Sequence, residues 1–375
     1  MAAIFLFGTL LHAPLLRAVA GEDVPSVEAA LPDAAVAGVA GAPYPVLVLR
    51  DGARARGQLI EVSGEALARL DFYEACFGYL RSPVEVVVAG VVRAAEVWRP
   101  GPGMTAATPE GDWSLDAWVR DWGALAVIAA GEVIRQRAGG ATAAEVGARY
   151  WMIAARAQAE VSAGAWRRPA RVGKNPARDA VEVVERHHPY SGFHTVEDLV
   201  LRHRQFDGAL SEPQRRSVFR AADAVTVLPY DPFRDRILVI EQLRMGPFVH
   251  GDAHPWLLEP VAGMIDAGET PEAAARRETV EEAGLELGAL HPVARYYPSP
   301  GGLAQVLISY VGIADLPDGV AGTGGHVSEG EDILSHLVDW ETARAMLEGG
   351  DMANAPLILS MQWLMLHRSR LQEEA

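Results

Sequence analysis

The chain has 375 residues, half of them hydrophobic, with 49 acidic against 33 basic side chains and a formal net charge of −16. That length exceeds one ordinary core and implies two domains. The acidic balance argues against a nucleic-acid partner and against an anionic membrane surface, both of which call for clustered Lys and Arg. One cysteine, Cys76, leaves no intrachain disulfide and no cysteine zinc site, which suits a reducing cytoplasm.

The opening MAAIFLFGTLLHAPLLRAVAG has no basic n-region, and Gly8 and His12 interrupt its apolar run, so it does not read as a signal peptide. No later stretch is long and apolar enough to predict a membrane span. AIFLFGTL (3–10), YPVLVLRDG (44–52) and GQLIEV (57–62) predict strands. Residues 63–77 predict a helix with Ser63 as N-cap and Leu67, Leu70 and Tyr73 at helical spacing. Two strands follow in 82–98, and the Pro- and Gly-rich 99–112 reads as a domain boundary. Ala-rich residues 113–165, broken near AGGAT (138–142), predict an antiparallel helical hairpin, and the basic 165–179 a linker. The expected division is therefore 1–105, a helical hairpin and linker over 106–185, and a second domain over 186–375.

In the second domain, AVTVLPYD (224–231) and DRILVIEQLR (235–244) flank a DPFRD turn and predict a hairpin. HPWLLEPVAGMI (254–265) is extended, as are ARYYPSPGG (294–302) and QVLISYVGIAD (305–315). A Gly-rich acidic loop (318–332), a strand ILSHLVDW and helices at 341–349 and 355–372 complete the chain, with no internal repeat.

Between them lies GMIDAGETPEAAARRETVEEAGL (263–285). Thr270 as N-cap, Pro271 at the first turn and Gly284 at the end delimit a helix. On it, Glu278 and Glu282 stack one turn apart with Glu281 beside them, while Ala273, Val280 and Ala283 are expected to pack inward, with Arg276 near that side too. At ~4 Å and an effective dielectric near 20, each carboxylate pair repels by about 4 kcal/mol. A divalent cation removes that cost, and an all-oxygen site suits Mg²⁺ or Mn²⁺. Arg277 is in reach of Glu281, and of Glu269, to orient the carboxylates.

The spacing of Gly263, Glu269, Arg277-Glu278-Thr279, Glu281-Glu282 and Gly284-Leu285 resembles the Nudix box at every defined position, with Thr279 where the family usually carries an aliphatic residue. The resemblance implies a metal-dependent hydrolase of nucleoside diphosphate derivatives with Glu278, Glu282 and the carbonyl of Ala262 as ligands and Glu281 joining or supporting them. Across 190–372, LPYDPFRDRILVIEQLR, PWLLEPVAGMIDAGE, YPSPGG, EGEDI and NAPLILSMQWL resemble the bacterial ADP-ribose pyrophosphatases, with Pro300 fifteen positions after Leu285. By that resemblance Arg244 faces a phosphate or ribose, Glu259 faces the substrate, and Ser299, Pro300 and Gly301 turn beside the terminal ribose. Glu329 corresponds to the general base, with Glu281 the alternative, and Glu331 to a further metal ligand. The implied reaction is ADP-ribose plus water giving AMP and ribose 5-phosphate. The small-molecule substrate stays open to other nucleoside diphosphate sugars such as GDP-mannose. The family also implies a homodimer that exchanges strands, for which 190–223 is the candidate.

FLFGTL (5–10) and LARLDFYEACFGYLRSPVEVV (67–87) resemble the γ-glutamylcyclotransferase-like, or AIG2-like, fold. There Gly8, Thr9 and Leu10 present backbone N–H groups to a carboxylate, Glu74 matches the catalytic acid/base and Tyr79 an aromatic that follows it. The pairing resembles tellurite-resistance fusion proteins. The expected fold class is α/β, a mixed cyclotransferase-like barrel, a helical hairpin and a Nudix α/β/α sandwich. A non-hydrolysing ADP-ribose sensor and a γ-glutamyl cyclotransferase as the main activity remain the alternatives.

Overall fold

The structure is a computed structural model that describes every residue except Gly103, 105–107, 169–170 and 326–329. It divides into two compact units, residues 1–168 with 191–193, and residues 169–190 with 194–375. Among the described residues, no helix is long and apolar enough to cross a membrane.

The first unit begins with β1 (Ala2–Leu6), a short 3₁₀ turn (Thr9–Leu11) and α1 (Ala13–Ala20), which has Pro14 in its first turn and Gly21 in the left-handed conformation at its end. Next come β2 (Ser26–Val39), β3 (Ala42–Val62), α2 (Gly64–Ala75), β4 (Tyr79–Val88), β5 (Val91–Pro100) and β6 (Pro109–Asp112). The pairing order β3-β1-β5-β4-β2 closes because β2 also pairs with β3, and β6 adds to β2 outside the ring. Alternate residues of these strands, among them Phe5, Leu31, Leu59, Val86 and Val97, fill the barrel.

Three expectations change here. The strands expected at 44–52 and 57–62 are one long strand, β3, whose ladder against β2 shifts register between Pro32 and Ala34; β2 itself carries no β-branched run to announce it. Helix α1 was not foreseen in the apolar opening. Ser63 occupies the N-cap of α2 but its side chain makes no cap bond.

The helical hairpin expected between the two domains groups with the first unit. It comprises α3 (Leu115–Trp118), a π-helical turn (Val119–Gly123), α4 (Ala124–Ala138), α5 (Ala143–Ala148) and α6 (Tyr150–Ala165). Small side chains such as Ala129, Ala130 and Ala155 are fully or nearly fully buried, so these helices approach closely. The Arg156 guanidinium is fully buried and pairs with Glu132 on α4, a bond that leaves neither charge uncompensated.

The second unit contains β7 (Val181–Ser191), β8 (Thr195–His203), β9 (Gln214–Arg220), β10 (Ala224–Asp231), β11 (Arg236–Leu243), α7 (Met245–His250), β12 (Trp256–Glu259), β13 (Val261–Met264), α8 (Pro271–Ala283), β14 (Leu290–Tyr296), β15 (Leu303–Ala304), β16 (Leu307–Ile313), β17 (Thr323–Gly324), β18 (Ile333–Asp339), α9 (Trp340–Gly349) and α10 (Ala355–Glu373). The main sheet runs β14-β16-β10-β11-β18-β17, with β12 on β11 and β13 on β10; β10 and β16 are parallel. Period-two alternation divides its side chains between two cores. Leu238 and Ile240 pack with Ala274 and Ala275 of α8, whereas Ile237 and Val239 pack with Leu357, Met361 and Leu364 of α10. A separate sheet, β15-β9-β8-β7, holds the strands expected over 190–223.

Candidate active site

Helix α8 starts as expected. The Thr270 hydroxyl accepts from the Ala273 amide, Pro271 opens the first turn, and Gly284 ends the helix at φ 65°. Its buried face differs from expectation. Ala274, Ala275, Thr279 and Glu282 are buried, whereas Ala273 is exposed and Val280 is 52% exposed. The side bearing Glu278 and Glu282 thus turns toward the protein; of the residues expected inward, Ala283 does pack on the core whereas Ala273 and Val280 turn outward. Thr279 fits this dry face because its hydroxyl donates to the Ala275 carbonyl at 2.7 Å.

Arg277 organises the acids. Its guanidinium donates to both oxygens of Glu269 at 3.0 Å, to Glu278 at 2.7 Å, to Glu281 at 3.0 Å and to the Met264 carbonyl at 3.0 Å. Glu282 is 2% exposed and accepts from the amide of Ala262 at 2.9 Å. Burial first, and then the charges of Glu278 and Glu331, push the Glu282 carboxyl up to about 8, against the pull of the Ala262 amide and Arg244. Burial likewise lifts Glu278 to about 7, with Arg277 opposing and Glu281 and Glu331 adding to the rise. Glu278, Glu282 and Glu331 therefore lie within one another's fields.

Gly263 is the floor under Glu278. A Cβ built there would lie 1.8 to 2.3 Å from the carboxyl atoms, so only glycine lets that side chain reach its place. Above, Gly325 donates to the Glu281 carbonyl, and a Cβ on Gly324 would stand 2.2 Å from the Glu282 carbonyl oxygen. Gly324 and Gly325, at the end of β17, are thereby held against the carboxylate helix. Glu329 lies outside the described residues.

These groups suit a hard divalent cation. The donors are oxygens, among them the carboxylates of buried Glu282 and half-buried Glu278, both pushed up chiefly by burial. Among the described residues no three acids or histidines converge as a finished cage. Glu281 and one oxygen of Glu278 are turned to Arg277 instead.

Beside the box, Arg244 pairs with Glu259 at 2.6 Å rather than standing apart from it. Glu259 is 9% exposed and also accepts from Asn354 at 3.2 Å. Sequence reasoning passed over Asn354, whose only local signal is that of a helix cap before Pro356. It performs that task too, accepting from the Leu357 amide. Ser299, Pro300 and Gly301 form an exposed turn, closed by the Leu303 amide donating to the Ser299 carbonyl and leading into β15.

The first unit has a second site. A cavity of about 400 Å³ is lined by Gly8, Thr9, Leu10, Glu74 and Tyr79, so the residues expected together do meet. Glu74 keeps some exposure, toward the cavity, but is closely surrounded by protein. Burial, and secondarily the charge of Asp71, push its carboxyl up to about 8. Trp118, Trp122 and Tyr150 also line the cavity, contributed by helices that sequence reasoning had set apart as a linker.

Residues 220–357 match the family model described as the NUDIX domain, and residues 4–115 match that of gamma-glutamyl cyclotransferase, AIG2-like. The chain is 40% identical over 206 residues, 55% of its length, to an ADP-ribose pyrophosphatase of Escherichia coli, covering 96% of that protein. It is 32% identical over 210 residues, 56% of its length, to an ADP-ribose pyrophosphatase of Haemophilus influenzae, again covering 96% of the relative. A GDP-mannose pyrophosphatase of Citrobacter koseri is 31% identical over 157 residues, 42% of this chain and 80% of the relative. Together with the Glu278–Glu282 helix, this places the chain in the ADP-ribose pyrophosphatase family of Nudix hydrolases, joined on its N-terminal side to an AIG2-like γ-glutamyl cyclotransferase domain.

Proposed function

We propose that the second unit hydrolyses the diphosphate of ADP-ribose to AMP and ribose 5-phosphate, using Mg²⁺ or Mn²⁺. The observation that carries this reading is the Glu278–Glu282 pair on one helix face, Glu282 buried and bonded to the Ala262 amide and Glu278 seated over Gly263. Glu278, Glu282 and the Ala262 carbonyl would hold the ion, with Glu331 as a further ligand. When bound, a divalent cation neutralises the two phosphates and polarises the water that attacks one phosphorus.

The protein's own groups do the rest. Arg277 fixes the carboxylate orientations through its bonds to Glu269, Glu278 and Glu281. Arg244, close enough to Glu282 to lower its pKa, supplies positive charge toward a phosphate or ribose, and Glu259 and Asn354 hold it in place. As the water oxygen bonds to phosphorus and the bridging P–O bond breaks, Glu329 takes the water proton, with Glu281 the alternative acceptor. Ser299, Pro300 and Gly301 serve the terminal ribose.

Mg²⁺-dependent release of AMP from ADP-ribose by the full chain, compared with GDP-mannose in parallel, tests the reading. Undiminished release by Glu282→Gln would sink the site assignment. A homodimer built on β7 fits the same reading. β7 is an edge strand that leaves Val181, Val183, Val184 and Tyr190 exposed, and light scattering on the purified chain measures the mass.

The Glu74 cavity supports a second activity in the first unit, cyclotransfer of a γ-glutamyl amide to 5-oxoproline. Its carboxyl stands where one group must both take and return a proton, and its raised pKa suits that double task. Formation of 5-oxoproline from γ-glutamyl amides, and its loss in Glu74→Gln, checks it.

A further inference from the structure

We propose that the Glu74 cavity takes γ-glutamyl amides of apolar, ring-bearing amines in preference to γ-glutamyl amino acids, an inference that rests on the cyclotransfer reading of the first unit.

The first observation is where the wall comes from. Trp118, Trp122, Leu125 and Tyr150 line the cavity, and all four lie beyond the residues 4–115 that match the cyclotransferase family. The turn between Trp118 and Trp122 is π-helical, and both indoles reach the cavity across that widened turn. This chain therefore adds its own aromatic cover to a shared barrel.

The second observation is charge. Among the described residues that line the cavity there is no Lys, Arg or His, and Glu74 is the one carboxylate. Trp98 on the wall donates its indole N–H to Asp71 at 3.1 Å. Asp71 pairs with Arg81 at 2.9 Å, and Arg81 also pairs with Glu96 at 2.6 Å, so that guanidinium is already matched by two acids. His12 packs edge-on to Trp118 with centroids 6.1 Å apart and does not line the cavity.

These observations discriminate between leaving groups. A γ-glutamyl head has one carboxylate, for which the resemblance assigns the backbone N–H groups at Gly8, Thr9 and Leu10. A γ-glutamyl amino acid brings a second carboxylate into a lining without a cation, where desolvation goes uncompensated. An apolar amine instead lays methylenes and a ring against indole and phenol faces, gaining burial and aromatic contact. The reaction balances without a co-reactant. The α-amine nitrogen bonds to the γ-carbonyl carbon and gives its proton to Glu74; the amide C–N bond breaks as Glu74 returns that proton to the departing nitrogen. The products are 5-oxoproline and the free amine.

The test compares γ-glutamyl-2-phenylethylamide with γ-glutamyl-alanine on the full chain. For the wild type, kcat/KM for 5-oxoproline formation is expected to favour the phenylethylamide by about tenfold or more, the scale of one well-filled apolar subsite. Trp122→Ala should erase most of that preference, and Trp122→Phe, which keeps a ring, should retain most of it. Tryptophan fluorescence titration of Glu74→Gln reads binding without turnover. Selective binding of the phenylethylamide with no 5-oxoproline from the wild type would uphold the ligand class and refute cyclotransfer. Turnover of both amides with no preference would uphold cyclotransfer and overturn the inference, as would failure of the phenylethylamide to bind.

Discussion

At the scale of single residues, glycine and arginine decide how the carboxylates stand. Gly263→Ala places a methyl inside the space of the Glu278 carboxyl, so AMP release should fall at least tenfold while the protein stays folded, as circular dichroism would show. Arg277→Ala strips Glu269, Glu278 and Glu281 of a shared partner. It should cost about 1.5–3 kcal/mol in urea unfolding along with most of the activity, and Arg277→Lys should rescue little, since an ammonium cannot serve Glu269 in the same forked way. Glu74 makes a prediction in pH. Its folded carboxyl sits near 8, above the ordinary 4.5, so the folded state holds the proton across that window and stability declines as pH rises from about 4.5 to 8. Melting temperatures across this range should show the decline; Glu278 and Glu282, raised likewise, add to it with the same sign, so Glu74→Gln should lessen the slope without abolishing it.

Among the secondary-structure elements, α8 shows what a sequence discloses and what it conceals. Its start, its end and the stacking of Glu278 over Glu282 were legible because caps and the 3.6-residue period are local physics. The direction of its buried face was not legible. Composition favoured turning Val280 inward, but Glu282 is buried on the amide of Ala262 in β13 instead, a long-range contact that the helix alone cannot reveal. Thr279 follows from this orientation. Since its hydroxyl only back-bonds to Ala275, Thr279→Val should leave both thermal stability and ADP-ribose hydrolysis within about 1 kcal/mol of wild type. Activity lost in that variant would mean the hydroxyl does more. The hairpin of β10 and β11 was legible from its turn, whereas β2 stayed hidden because its branched residues, Val27, Val36 and Val39, are scattered through an Ala-rich run.

For the whole molecule, the two units have separate cores and separate sites, which predicts two calorimetric transitions. Mg²⁺ should raise the melting temperature of only the one assigned to the second unit, since a ligand stabilises the fold it binds. A uniform shift of both would contradict that assignment. The hairpin of helices at 115–165 was legible as helices but not in what it covers, because Ala-rich, amphipathically weak segments carry little sign of their partners, and α1 and α2 lie far back in the chain. The contact at Gly324 reaches further than its size suggests. Its backbone rests so near the Glu282 carbonyl that β17 and the box helix are pinned to each other at this point. Any side chain at position 324 would therefore press on the end of the box helix at Glu282, so variation there is felt first by the carboxylate pair.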